Sequence, residues 1–200
     1  MKNNILYVVI GVLVLGGIFL LSNQVTKASQ KPLLTGTHKI EIVVKDYGVI
    51  QAELYADIAP ITVTNFIELV EQKFYDGLTF HRIMEGFMIQ GGDPTGTGGG
   101  GSSKKIKGEF SLNGIENSLS HVRGVISMAR SDAYNSASSQ FFIVHEDSTF
   151  LDGSYASFGM VTEGMDVVDK IAENAIVEDD NGTVFSENQP VIESISVVVE

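Results

Sequence analysis

The feature that most constrains the fold is a series of short apolar runs, each bounded by polar or glycine-containing turns. Val125-Ile126-Ser127-Met128-Ala129, Gln140-Phe141-Phe142-Ile143-Val144 and Ala156-Ser157-Phe158-Gly159-Met160-Val161 are short and bounded in this way, so they read as buried strands. Residues 39–45 and 49–55 alternate apolar with polar around Asp46-Tyr47-Gly48, which predicts a hairpin, and residues 192–199 predict a closing strand. Two stretches carry helical spacing instead. Val63, Phe66, Ile67 and Val70 follow Pro60 at i, i+3, i+4 and i+7, with Asp57 as the expected cap and Asp76-Gly77 as the break. Met165, Val168, Ile171 and Ala172 predict a second, shorter helix. Many short strands with two helices predict a mainly β chain, a barrel or sandwich with helical caps.

The amino terminus is different in kind. Residues 5–21 carry no charge and follow Lys2, a run at the lower edge of what spans a bilayer and near the upper length of a signal-peptide core. No small-x-small cleavage site follows convincingly, because Lys27 interrupts the Val25–Ser29 stretch. Residues 1–22 therefore read as an uncleaved signal anchor, a single membrane-spanning helix. Its short positive end stays inside, placing the body on the extracytoplasmic side of the cell membrane, or in the medium if the segment is cleaved. Residues 23–37 mix Ser, Asn, Gln, Thr, Lys and Pro32 and read as a linker to a domain at 38–200.

Charge narrows the partners. All 25 acidic residues lie at Glu41 or later, against ten basic residues after Gly36, so the body carries −15. Such a field repels nucleic acid. The absence of cysteine removes disulfides and thiol nucleophiles. Gly96-x-Gly98-x-x-Gly101 matches a dinucleotide fingerprint literally, but it follows a proline turn and precedes Ser102-Ser103-Lys104-Lys105 rather than an apolar helix. His38, His81, His121 and His145 form no close ligand pair, so neither a metal nor a cofactor is expected. No Gly-x-Ser-x-Gly elbow marks a nucleophile, and Asn181-Gly182-Thr183 reads as a turn rather than a glycosylation acceptor.

The chemistry concentrates in residues 80–93. Arg82, Phe87, Met88 and Gln90 place a cation, two apolar anchors and an amide within nine residues, ahead of Gly91-Gly92-Asp93. A greasy slot with a fixed cation and an amide at its edge suits a small apolar group beside a peptide bond, and proline is the obvious candidate. A surface ion pair of Arg82 with Glu85 is the plainer alternative, but Ser139-Gln140-Phe141-Phe142 adds a second cluster of the same character.

At these residues the chain resembles the cyclophilin family of peptidyl-prolyl cis-trans isomerases. The resemblance runs from about Lys39 to the carboxyl end. It rests on Ala59-Pro60-x-Thr62-Val63-x-Asn65-Phe66, Tyr75-Asp76-Gly77-x-Thr79-Phe80-His81-Arg82 and Gly86-Phe87-Met88-Ile89-Gln90-Gly91-Gly92-Asp93, then on Gly124–Ala129, Ser139–Ile143 and Phe150-Leu151-Asp152-Gly153. The Asp93-Pro94-Thr95-Gly96-Thr97-Gly98 wording resembles the compact bacterial type. The resemblance implies a closed eight-stranded antiparallel β-barrel capped by two α-helices, with a substrate groove on its outside. It implies isomerisation of X–Pro bonds in proline-containing polypeptides without a cofactor, and no exposed heptad or second domain in the sequence suggests assembly beyond a monomer. It assigns catalysis to Arg82, Gln90 and Phe87, and substrate binding to Met88, Ala129, Arg130, Gln140, Phe142, Phe150, Leu151 and Tyr155. Phe150 stands where many members carry tryptophan and Tyr155 where many carry histidine. The lost indole N–H implies weakened ciclosporin binding, while Tyr155 still edges the pocket. A proline-peptide-binding module or holdase, with incidental isomerase activity, is the alternative within the same pocket.

Overall fold

Strands β1 (Thr37–Val44) and β2 (Gly48–Tyr55) form the hairpin that the alternation predicts. Ile40, Ile42 and Val44 on one strand and Ile50, Ala52 and Leu54 on the other are buried, with Ile42 opposite Ile50. The turn between them needs left-handed backbone at Asp46, at φ 65°. The computed structural model describes residues 32–198; the expected amino-terminal helix and most of the expected linker lie outside them. Among the described residues no helix is long and apolar enough to cross a membrane.

Helix α1 (Pro60–Glu71) follows, and its capping differs from expectation. Asp57 is turned away and accepts from the Gly36 N–H at 2.8 Å. The orphan donors of the first turn go instead to the buried carboxylate of Glu109, which accepts from Ile61 N at 3.0 Å, Thr62 N at 2.8 Å and Thr62 Oγ1 at 2.6 Å. The partner sits 47 residues from Thr62, so local sequence could not reveal it. Helix α2 (Met165–Glu173) buries Val167, Val168, Ile171 and Ala172, close to the predicted stripe.

The remaining strands are β3 (Phe80–Met84), β4 (Met88–Gly91), β5 (Val125–Met128), β6 (Phe141–Val144), β7 (Ala156–Glu163) and β8 (Ile192–Val197). All pairings are antiparallel, in the order β3-β4-β6-β5-β7-β2-β1-β8. The closed barrel is corrected to a curled, open one. Strands β3 and β8 meet only near their starts, through the isolated bridge Thr79–Val191 and its neighbouring backbone bonds. Farther along, the edge of β3 is occupied by residues 182–184: Ile83 N donates to Gly182 O at 2.8 Å and Val184 N to His81 O at 3.0 Å. An edge already paired to a loop has no hydrogen-bonding groups left for β8.

The side-chain period of two divides the sheet into two faces. Inward lie Phe80, Ile83, Ile89, Phe141, Ile143 and Phe158, in one core cluster with Phe66 of α1; the Phe66 ring meets Phe141 edge-on at 5.4 Å and Phe158 at 5.2 Å. Outward lies a second, smaller cluster built on Met88, Val125, Phe142, Val144 and Leu151. Fully burying each large side chain stabilises by roughly 1.5–3 kcal/mol, which makes the register of these strands costly to slip.

Candidate functional site

Register decides which residues meet on the outer face. Arg82 pairs with Gln90 across β3 and β4, Gln90 with Phe142 across β4 and β6, and Phe142 with Ser127 across β6 and β5. Arg82, Gln90 and Phe142 therefore stand in one row across the sheet. A cavity of about 140 Å³ opens over it, lined by Arg82, Phe87, Met88, Gln90, Ala129, Arg130, Phe142, Leu151 and Tyr155. The β3–β4 turn, with Gly86 at φ 76°, swings Phe87 to one wall. The turn at residues 149–151 supplies Leu151, and Tyr155 meets Phe142 edge-on at 6.0 Å.

The polar edge of this pocket is a wired chain. Gln140 donates through Nε2 to the carbonyls of Gly98 (2.9 Å) and Gly100 (2.8 Å), which leaves its oxygen to accept from Gln90 Nε2 at 2.8 Å. Gln90 then has only its oxygen to offer Arg82 Nη1, at 3.3 Å. The carbonyls of the glycine loop thus fix the orientation of two amides in turn. That loop is itself held by Asp93, which accepts from the N–H groups of Thr95, Thr97 and Gly100. Burial alone would raise the Asp93 pKa, but the N–H groups of Thr95 and Gly100 hold it below the ordinary carboxylate value.

The guanidinium of Arg82 is half-buried and its partners are Asn181, Gln90 and the Met84 sulfur, which accepts from Nη2 at 3.1 Å, not Glu85. Nε donates to Asn181 O at 2.8 Å and Nη2 to Asn181 Oδ1 at 3.1 Å. Its carbon lies 5.9 Å from the Phe87 ring centroid. Burial lowers the Arg82 pKa, opposed by Tyr155 and Asp179, yet from so high a starting value it remains a cation at neutral pH. Asn181 escaped the sequence analysis: Asn181-Gly182-Thr183 is the expected turn, but nothing in it signals the arginine 99 residues away.

Phe150 and Arg130 stand at the site in different ways. Phe150 does not line the cavity; it stands at the rim, 72% exposed, with its ring 5.6 Å from Phe87. Arg130 lines both cavities, with its guanidinium fixed by neighbouring groups. It donates to the carbonyls of Ser154, Ser131 and Asp132 and lies over the rings of Tyr155 (4.7 Å), Phe110 (5.1 Å) and Tyr134 (5.2 Å). Beyond Gln90 and Ala129 a larger polar cavity of about 360 Å³ continues the groove, with Gln140, Gly98, Lys105, Ser131 and Ser138 among its walls.

Beneath the pocket, His121 bridges Asp152 Oδ1 (2.7 Å from Nδ1) and Ser127 Oγ (2.9 Å from Nε2) and stacks on Phe142 at 6.0 Å. Burial lowers the His121 pKa against the opposing pull of Asp152, so the ring is neutral at pH 7. A neutral ring donating to Asp152 accepts from Ser127, the hydrogen-bond order of a hydrolytic triad. Ser127 is 0% exposed in the middle of β5, out of reach of any substrate carbonyl. The trio braces the pocket floor.

A family model for cyclophilin-type peptidyl-prolyl cis-trans isomerases matches residues 39–197. The chain is similar to peptidyl-prolyl cis-trans isomerase B of Bacillus subtilis, with 42% identity over 135 residues, 68% of this chain and 91% of that protein. It is similar to peptidyl-prolyl cis-trans isomerase-like 1 of Rhizopus delemar, with 49% identity over 125 residues, 62% of this chain and 74% of that protein. Among solved structures, a cyclophilin-type isomerase of Cryptosporidium parvum superposes with a TM-score of 0.72 at 30% identity, covering 82% of this chain and 99% of that one. The same Cryptosporidium protein has been crystallised in the presence of the dipeptide Ala-Pro, and that structure gives a TM-score of 0.71.

Proposed function

This chain belongs to the cyclophilin-type peptidyl-prolyl cis-trans isomerase family, and we propose that Arg82 catalyses its X–Pro isomerisation by hydrogen-bonding the prolyl nitrogen in the twisted transition state. A peptide bond resists rotation by roughly 18–20 kcal/mol because nitrogen shares its lone pair with the carbonyl. Twisting returns the lone pair to a pyramidal nitrogen, creating an acceptor that neither planar isomer offers. With Nε–H and one Nη2–H turned to Asn181, the Nη1 hydrogens of Arg82 lie on the Gln90 side. A donor there acts on the twisted form more than on either ground state, which is the condition for acceleration.

The observation that carries this reading is the cross-strand row: Arg82 and Gln90 stand at the polar edge of the apolar cavity that holds Phe87, Met88, Phe142 and Leu151. The apolar walls hold the proline ring while the carbonyl side turns, and Gln90 steadies that side. Ala129 and Gln140 flank the substrate backbone. Phe150 acts at the rim. The Ala-Pro dipeptide used with the Cryptosporidium relative supports a proline-containing peptide as ligand. No covalent step is involved, and the domain at 38–200 acts as a monomer.

The uncharged run at 5–21 supports an anchored enzyme on the extracytoplasmic face of the cell membrane, with 23–37 as linker, meeting exported chains as they emerge. Unaided X–Pro isomerisation takes tens to hundreds of seconds, slow enough to limit their folding. The short Asp93–Gly98 wording supports the compact bacterial type. Recovery of the protein in the soluble cytosolic fraction would overturn the location.

The test of the mechanism is NMR exchange on an X–Pro tetrapeptide, with the full chain in mild detergent and its Arg82→Ala variant. Acceleration by the parent and its loss in a folded variant are expected. Parental acceleration by folded Arg82→Ala would end the assignment. Peptide binding without acceleration by the parent would instead indicate a binding module.

A further inference from the structure

The loop that occupies the outer edge of β3 is built more firmly than an edge cover requires. Asp179 closes its turn by accepting from Asn181 N (3.0 Å), Thr183 N (3.0 Å) and Thr183 Oγ1 (2.9 Å), while its carbonyl takes Gly182 N at 3.1 Å. Gly182 has φ 80°, and a Cβ there would lie 2.4 Å from Ile83 O, so the turn sits directly against the strand. These bonds close the turn, and the backbone bonds of Ile83 and Val184 dock it. None of them uses the side chain of Asn181. An exposed asparagine with nothing to do would face water, yet its Oδ1 accepts from Arg82 Nη2.

Asn181 grips one edge of the guanidinium with two oxygens, its own carbonyl on Nε–H and its amide oxygen on Nη2–H. Two bonds on one edge fix both the position and the plane of the group, as a carboxylate does in a bidentate pair. The difference is charge. A carboxylate in direct contact would neutralise the cation; a carboxamide orients it and adds no negative charge to that of Asp179, which acts on Arg82 from the same turn without a direct bond. Gln90 holds the opposite nitrogen, also through a neutral oxygen. The cation is thus held by neutral groups throughout: an amide delivered by β4, the Met84 sulfur on Nη2, and the amide and carbonyl of a turn residue 99 positions away.

We propose that Asn181 is a positioning residue for isomerisation, holding the Arg82 guanidinium in a fixed plane without neutralising it. This rests on the reading of Arg82 as the catalytic donor. Its role is distinct from edge protection of β3, which the backbone of the same turn performs.

The test compares the full-length parent with Asn181→Ala, Asn181→Asp and Arg82→Ala, measuring kcat and KM by exchange NMR at low and high salt, with thermal midpoints alongside. Asn181→Ala keeps the carbonyl contact but leaves Nη2 with only the weakly accepting Met84 sulfur, so kcat falls about tenfold with KM little changed, a change expected for a lost charge-assisted hydrogen bond acting in the transition state. Asn181→Asp keeps the grip but places a carboxylate on the cation. Its kcat falls too, and because the site is exposed the deficit shrinks as salt is added, while that of Asn181→Ala does not. Both variants melt with the parent. Parental kcat in both, beside an inactive Arg82→Ala, overturns the positioning role and leaves the arginine mechanism standing. Parental kcat in Arg82→Ala overturns both. A fall in kcat that tracks a lowered melting point and a raised KM reduces Asn181 to a structural residue and also overturns the proposal.

Discussion

Replacing Glu109 by alanine tests whether a carboxylate from a distant loop caps the helix behind the core. Glu109 is 2% exposed and takes three donors at the start of α1: Ile61 N, Thr62 N and Thr62 Oγ1. In Glu109→Ala the hydroxyl can turn to a neighbouring carbonyl, but the two N–H groups are fixed by the helix. Leaving each without an acceptor costs about 1–3 kcal/mol. Loss of the favourable charge at the helix start adds about 0.3–2 kcal/mol. Relief of the buried carboxylate's own desolvation offsets part of this. A net loss of about 3 kcal/mol is expected, which lowers the melting temperature of a chain this size by roughly 6–12 °C. Glu109→Gln retains one acceptor oxygen but turns an NH₂ toward the second N–H, so its loss is about half as large. The assay is urea unfolding of the full chain by far-UV circular dichroism, since the chain contains no tryptophan. The reach of the effect is functional as well. Phe110 follows Glu109 and supports the stacked Arg130, which lines both cavities, so KM rises in the alanine variant while kcat holds. A loss below 1 kcal/mol in Glu109→Ala, or a larger loss in Glu109→Gln than in Glu109→Ala, would refute the capping account.

Three further outcomes are expected. Burial lowers the pKa of both His81 and His121, so as pH falls through about 6.5 the unfolded chain takes up protons before the folded one. Stability is then full above that pH and declines below it, with a second loss below about 4 as Asp93 and Asp152, both held low in the folded state, are protonated; a melting temperature unchanged from pH 7 to pH 5 would contradict this. Gln140→Leu removes the link between the Gly98 and Gly100 carbonyls and Gln90, so turnover falls about tenfold with the fold retained, and parental turnover would show that amide orientation is immaterial. Phe150→Trp restores an indole N–H at the exposed rim beside Phe87, and calorimetry is expected to show tighter ciclosporin binding than in the parent; equal affinity would dissociate that residue from the ligand.

Much of the molecule was legible because local patterning and burial agree. The hairpin of β1 and β2, the stripe of Val63, Phe66, Ile67 and Val70, and the buried runs of β5 and β6 follow from period and length alone. The outer-face pocket was legible for a related reason. Phe87, Met88 and Gln90 share a hairpin with Arg82, so nearness in sequence became nearness in space. Phe150 and Arg130 were assigned by position within a motif, and position does not say how a side chain is held. Phe150 stands at the rim, while Arg130 lines the cavity with its guanidinium held by three carbonyls and three rings.

The sequence by itself determined the mainly β class, the two helices, the anionic surface and the cation beside an apolar slot, because each is a property of composition or of a repeat a few residues long. Only the tertiary structure decided that Glu109 caps α1, that residues 182–184 take the edge of β3 and leave the barrel open, and that Asn181 holds Arg82. Each of these is a hydrogen bond between groups tens of residues apart. Such a bond leaves no periodic trace, since any carboxylate or amide would satisfy the donor, and the fold alone selects which one arrives.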